Sequence, residues 1–332
     1  MSKSQAANKP ADVKTRKVSI QERSVLVGDI IVVNGHRVNL ALLKQRFTEG
    51  GYQAQETPHF LLFTRQQEPS TILVHFFGLH DFNADIKHYM FFELHPLGLL
   101  KNSGDYGKLI SGIIGSFHPD ATRDAWHKYA ANSLQRFLLF LSTAYTPTVY
   151  NFYATIGAFA HWYQRVCELC VGESFLDAGC ESGFLPLVIA ERIPFMQRIV
   201  GVDIRPDMFE IMRQIVAEQH LSPIELIQAD LLSAEFTQLG DFDTVTALGV
   251  IEHFTETEMY AVLTSLLRIT SHRLIITVPY EDQPTMIYEH KQTFTRQKLE
   301  AVGAWCVEQL GGSSRMWCED CLGGLLLVER RA

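Results

Sequence analysis

The sequence predicts an α/β protein: a doubly wound, largely parallel sheet in the C-terminal half, preceded by a smaller α+β module and a helical segment. Three observations carry this. From Gly172 onward, short apolar runs alternate with amphipathic stretches, the pattern of a parallel sheet covered by helices on both faces. Three of those runs end in an aspartate, at Asp177, Asp203 and Asp230, and the first opens into glycines at Gly179 and Gly183.

Residues 1–20 hold the only basic concentration, Lys3, Lys9, Lys14, Arg16 and Lys17, without apolar periodicity, and read as a mobile tail. Residues 21–118 form the α+β module. Val25 to Val38 reads as two short strands with Asn34-Gly35 as the turn signal. An amphipathic helix follows from about Leu40 to Phe47 and stops at Gly50-Gly51. Two apolar runs, 59–65 and 71–78, complete the module. From Ala121 the spacing of Trp126, Tyr129, Leu134, Phe137 and Leu138 is helical, and Pro147 should break that helix. Residues 119–149 are therefore expected to be a helical linker or lid. An aromatic-rich helix, Tyr150 to Cys170, leads into the last domain, 150–332. Its strands are placed at SFLDAG, RIVGVD, IELIQAD, FDTVTALGV and HRLIITVPY. Helices lie near Leu185 to Arg192, Met208 to His220, Glu256 to Ile269 and Thr295 to Val302, and CLGGLLLVERR is a closing antiparallel strand.

The bulk properties narrow the partners. The chain has 332 residues and a net charge of -8, so no global positive field would gather a phosphate backbone or an anionic membrane. This argues against nucleic acid and membrane partners and for a small-molecule substrate. No early apolar stretch resembles a signal peptide and no run reaches the ~20 apolar residues of a membrane span, so a cytoplasmic protein is expected. The six cysteines read as reduced thiols.

The sharpest motif is Phe175-Leu-Asp-Ala-Gly-Cys-Glu-Ser-Gly183, a strand end opening into a helix. In open α/β sheets ligands bind beyond the carboxyl ends of the strands, and glycine there lets backbone approach them. A dinucleotide fingerprint would need glycine at 179, 181 and 184, but Glu181 and Phe184 stand in two of those places, and no Walker lysine follows. Asp203 lies twenty-six residues after Asp177, at a strand end suited to a ribose. Asp230 ends the third strand, where it can accept from an adenine amino group. The ligand is therefore expected to contain a ribose and to need no phosphate.

Over about residues 150–332 these ordered motifs resemble the class I S-adenosylmethionine-dependent methyltransferases of the small-molecule type, which implies a Rossmann-like domain and S-adenosylmethionine as cofactor. By that resemblance Asp177 and Gly179, with Glu181 and Gly183 in the same loop, meet the methionine end. Asp203 and Ile204 take the ribose, Asp230 and Leu231 the adenine, and Leu248 and Gly249 line the sulfonium. Glu181 departs from the usual glycine, which puts the loop path in question. FDTVTALGVIEHF is similar to the family's fourth strand with its glutamate-histidine pair. The Asn/Asp-Pro-Pro-Tyr motif of base-amine methylating members is replaced by Leu248-Gly-Val250, and Pro279-Tyr280 lies one strand later.

Methyl transfer is an in-line displacement at a sulfonium, helped mainly by positioning and desolvation. An acceptor hydroxyl would need a base, and His253 and His290 are the candidates. Tyr150, Tyr153, Trp162 and Tyr280 are the expected substrate contacts. The pairs Cys167/Cys170 and Cys318/Cys321 have zinc-like spacing, but they fall on a predicted helix and a strand approach, and no metal is expected. His75, His80 and Asp81 read as polar residues at a strand end. The favoured function is methylation of a small organic acceptor, aromatic or apolar, as in secondary metabolism, with O-, N- and C-acceptors all open. The alternatives are methylation of a protein or RNA side group, with the N-terminal module as docking surface, and a non-catalytic cofactor-binding protein in which Glu181 marks decay. An oligomer could form through the N-terminal module.

Overall fold

The computed structural model describes residues 24–66, 70–118, 121–143, 155–206, 208–218, 224–311 and 314–330. The predicted tail, the break at Pro147, and Tyr150, Phe152 and Tyr153 lie outside them. Among the described residues no helix is long and apolar enough to cross a membrane.

The first sheet comprises β1 (Ser24–Val27), β2 (Ile30–Asn34), β3 (Gln53–Glu56), β4 (Phe60–Thr64) and β5 (Thr71–His75), in the order β1-β2-β5-β4-β3. The two expected strands form, but the turn between them is Gly28-Asp29: Val27 pairs with Ile30, and Gly28 has φ 61°. Asn34 instead ends β2, and its side chain accepts from His36 N at 2.9 Å to start a short 3-10 turn. The turn chemistry is real but serves the exit from β2, because β2 must stay in parallel register with β5 up to Asn34 opposite His75. Helix α1 (Leu40–Glu49) is capped by Asn39, whose side chain accepts from Leu42 N. Two further helices, α2 (Ile86–Glu93) and α3 (Ser103–Phe117), precede the expected start of the helical region. Helix α3 lies against β1 and β2 through Gly112 and Gly115; a Cβ on Gly112 would come within 2.6 Å of Val27.

Helix α4 (Thr122–Ser142) and helix α5 (Ile156–Leu169) connect the module to the second sheet. α4 packs against α5 and against α6 (Phe184–Arg192) and α7 (Phe209–Glu218) of the second domain. The second sheet has seven strands: β6 (Ser174–Ala178), β7 (Arg198–Asp203), β8 (Ile224–Gln228), β9 (Phe242–Leu248), β10 (Thr270–Val278), β11 (Arg315–Asp320) and β12 (Gly324–Glu329). Their order is β11-β12-β10-β9-β6-β7-β8. β6, β7, β8, β9 and β10 run parallel, whereas β12 pairs antiparallel with β10 and with β11. The closing antiparallel strand was expected; its partner β11 was not.

The strand alternation sorts the core into two layers. Phe175, Ile199 and Leu226 face α5, α6, α7 and the module, in one apolar cluster that runs from Val32 through Phe82, Tyr129 and Phe137 to Leu327. Leu176, Val200, Val245 and Ile276 face α8 (Glu256–Ile269) and α9 (Arg296–Gln309). The module thus shares its core with one face of the parallel sheet.

Candidate functional site

Strand order reverses between β6 and β9: β7 and β8 continue to one side and β10 to the other. A crevice opens at such a switch point, beyond the carboxyl ends of β6 and β9. Asp177 and Leu248 are the residues that reach it.

The loop after β6 is held by its backbone. Gly179 N and Cys180 N donate to Val202 O at 2.8 and 2.9 Å, and Gly183 N donates to Cys180 O at 2.8 Å. Gly179 and Gly183 both have φ 76°, which only glycine adopts without cost. A Cβ on Gly179 would also lie 2.6 Å from Val250 Cγ2. Gly179→Ala is therefore expected to lose at least tenfold in cofactor affinity and several degrees of melting temperature. The left-handed backbone alone costs about 1 to 2 kcal/mol, and calorimetry with thermal melts checks both effects.

Glu181 stands where a glycine was expected and keeps the glycine-like backbone, with φ 48°. Two contacts offset that strain. Its N–H donates to Asp203 Oδ2 at 2.8 Å, and its carboxylate pairs with Lys87 of α2. The left-handed backbone at Glu181 is thus held from two sides. The sequence reading missed Lys87, because nothing in an isolated lysine ninety-four residues upstream signals that α2 crosses the loop.

Asp177 is buried at the end of β6 and accepts from Thr246 Oγ1 at 2.7 Å. Burial pushes its carboxyl up to about 7, against the opposing hydrogen bond from Thr246. Asp203 is half-buried at the end of β7, and its Oδ1 accepts from Arg205 N at 2.8 Å. Burial raises its carboxyl above the ordinary value, although the backbone donors at Arg205 and Glu181 pull the other way. Ile204 beside it is 60% exposed, an apolar side chain at the cleft edge. Asp230 follows β8; its Oδ1 accepts from Leu232 N at 2.9 Å, while Leu231 is buried in the core layer behind.

Leu248 ends β9, and Gly249 follows with φ 65° and its N–H on Thr277 O at 2.9 Å. Trp162 lies behind Gly249: a Cβ there would be 3.6 Å from its ring, and the Trp162 indole donates to Cys321 O at 2.6 Å. Of the expected substrate contacts, Trp162 is therefore a buried wall of the cleft. Tyr280 packs over Gly324 with the α9 layer. His75 is buried in β5 on Ser116 Oγ at 2.7 Å.

A short 3-10 turn, Ile251–His253, then presents Glu252 and His253. His290 packs against His253 with ring centroids 4.9 Å apart, and its Nδ1 meets Glu281 Oε2 at 2.7 Å. Burial, and then the neighbouring His290, bring the His253 imidazole down to about 4. Glu252 is 2% exposed, and burial lifts its carboxyl to about 7. The structure thus gathers both predicted histidines at the mouth of β9. It adds Glu252 and Glu281, of which only Glu252 had a signal, in the glutamate-histidine pair.

No curated protein matches the chain in sequence. In fold, it is similar to the methyltransferase domain of bacterial CtHen1-C, with 20% identity over 53% of this chain and 100% of that one and a TM-score of 0.44. It is similar to the small RNA methyltransferase HEN1, with 20% identity over 52% of this chain and a TM-score of 0.44, and spans only 24% of that protein's length. It is also similar to magnesium protoporphyrin IX methyltransferase from Synechocystis PCC 6803 with bound SAH, with 17% identity, 58% and 94% coverage and a TM-score of 0.40. Residues 175–272 match the family model described as a methyltransferase domain. That stretch begins on the buried strand before the glycine loop and includes the ends of β6, β7, β8 and β9, so the match covers the crevice itself. Over these residues the chain matches a methyltransferase domain.

Proposed function

We propose that the enzyme methylates a small organic acceptor with an apolar or aromatic body. One observation carries this: a recess between α4, α5 and the cofactor loop is lined by Tyr129, Phe137, Phe159, Tyr163 and Phe184, with Glu181 of the loop among its walls. Such walls offer ring faces for stacking, and the recess, about 30 Å³ as it stands, would have to widen to take an acceptor. The net charge of -8 favours the same reading over an RNA substrate.

In this reading the cofactor lies along the carboxyl edge of the sheet. Asp177, Gly179, Glu181 and Gly183 hold its methionine end, Asp203 and Ile204 its ribose, Asp230 and Leu231 its adenine, and Leu248 and Gly249 border the sulfonium. The acceptor atom approaches from the side of His253 and His290, the catalytic pair, with Trp162 behind Gly249. Positioning and exclusion of water supply much of the rate.

Calorimetry is expected to show binding of S-adenosylmethionine and its demethylated product and none of NAD, because Glu181 and Phe184 replace the dinucleotide glycines. Release of the demethylated product is then measured with a panel of small aromatic acceptors and with RNA, at low and high salt. Turnover on the aromatic panel with little salt dependence supports the proposal. Turnover only on RNA, falling steeply with salt, overturns it.

A further inference from the structure

We propose that Glu252, His253 and His290 form a divalent transition-metal site at the mouth of β9, and that the acceptor is a hydroxyl compound whose oxygen binds that ion. This rests on the proposed function for the place of the acceptor. The sequence reading expected no metal, because the cysteine pairs with zinc-like spacing fall on a predicted helix and a strand approach. The fold instead brings together a carboxylate and two imidazoles from separate segments, with their ligand atoms all within 4.8 Å of one another.

Two features mark this as a built site. Glu252 is 2% exposed, and its Oε2 meets no hydrogen-bond partner among the described residues. A buried carboxylate oxygen without a donor is costly, and a cation is the natural partner for it. The second feature is the orientation of His290. Its Nδ1 lies 2.7 Å from Glu281 Oε2, and Glu281 Oε1 accepts from Thr285 Oγ1 at 2.6 Å. A carboxylate acceptor puts the His290 proton on Nδ1 and leaves Nε2 bare. Carboxylate to histidine to metal is the arrangement by which proteins orient a ligating imidazole.

One carboxylate and two imidazoles suit Mn²⁺, Fe²⁺, Co²⁺ or Zn²⁺, and three protein ligands leave positions open. The site adjoins the sulfonium end of the cleft: a Cβ on Gly249 would lie 3.5 Å from Glu252 Oε1. The charges also fit. Glu252 leaves one positive charge on the ion, which an ionised acceptor oxygen neutralises. An acceptor hydroxyl at an open position gives its proton to solvent water, with its pKa lowered by the ion. Its oxygen then bonds to the methyl carbon as the carbon–sulfur bond breaks. The electron pair of that bond stays on sulfur, which leaves as a neutral thioether.

The test uses full-length, chelator-treated protein titrated with Co²⁺, read by its visible absorption, and with Mn²⁺, read by electron paramagnetic resonance. One ion per chain is expected. E252Q and H290N should each weaken it at least tenfold, and H253A, at a half-buried position, provides a third ligand deletion. E281Q should weaken it about tenfold by releasing the orientation of His290. Binding of S-adenosylmethionine is measured on the same samples by calorimetry, so failure of the metal site is distinguishable from failure of the cofactor reading. The inference is overturned if the parent binds neither ion stoichiometrically, or if well-folded ligand variants bind them as the parent does.

Discussion

Asp203→Ala is expected to weaken S-adenosylmethionine binding tenfold to a thousandfold while lowering the melting temperature by only a few degrees. Between Arg198 and this residue the strand β7 is apolar and buried, and Asp203 emerges half-buried at the carboxyl edge. Its carboxylate already accepts from Glu181 N and Arg205 N, one on each oxygen, both at 2.8 Å. Each oxygen keeps a further lone pair for a ribose hydroxyl. Charge-assisted hydrogen bonds are worth about 1.5 to 3 kcal/mol each when a partner is removed, which sets the range of affinity loss. The two backbone donors are a structural duty that the sequence did not suggest. Losing them costs ~1 kcal/mol apiece, by analogy with caps, and frees the loop at Glu181. The measurement is a pair: the melting temperature of the cofactor-free protein and its dissociation constant. A variant that melts early but binds S-adenosylmethionine like the parent would show that Asp203 caps the loop and does not hold the ribose.

Asp177 and Asp203 were legible because each closes an apolar run that the parallel sheet must bury, whereas Asp230 follows an edge strand, β8, in which only Leu226 is buried. The same logic found β4, β5, β9 and β10. It failed for β3, whose residues Gln53–Glu56 are all exposed and, but for Ala54, polar, an edge strand whose backbone pairing leaves no trace in hydropathy. It failed likewise for α2, where IKHYMFFE has apolar residues on most sides because the helix is wedged between the module and the cofactor loop. Asn34-Gly35 misled because an asparagine that starts a 3-10 turn and one that turns a hairpin look the same in sequence. The cluster at Glu252, His253 and His290 joins residues thirty-seven positions apart. Only the return of the chain after β10 brings them together, and no local pattern encodes that return.

At Asp177 the expected result is a pH-dependent exchange of stability for function. In the cofactor-free protein its buried carboxyl is held up at about 7, against the ordinary value of 3.8. Below pH 3.8 both folded and unfolded chains keep the proton and the group costs nothing. As the pH rises, the unfolded chain releases the proton while the folded one retains it, so stability is lost up to about pH 7 and the loss is constant above it. At 1.36 kcal/mol per pH unit, the loss approaches about 4 kcal/mol. Asp177→Asn removes the titration while its side-chain oxygen can still accept from Thr246 Oγ1. The stability of the variant relative to the parent should therefore rise by about 4 kcal/mol between pH 4 and pH 8, whatever the fixed cost of burying an amide. Cofactor binding should move the opposite way. If Asp177 faces the methionine ammonium, as proposed, the ionised carboxylate is the form that pairs with it. The parent should then bind S-adenosylmethionine more tightly from pH 6 to 8, with the variant flat over that range and at least tenfold weaker at pH 8. Denaturant unfolding at the two pH values and calorimetry across the range check both arms. A stability gap that does not change with pH would mean that Asp177 is ionised in the free protein. Equal cofactor affinity at pH 8 would remove Asp177 from the methionine end of the site.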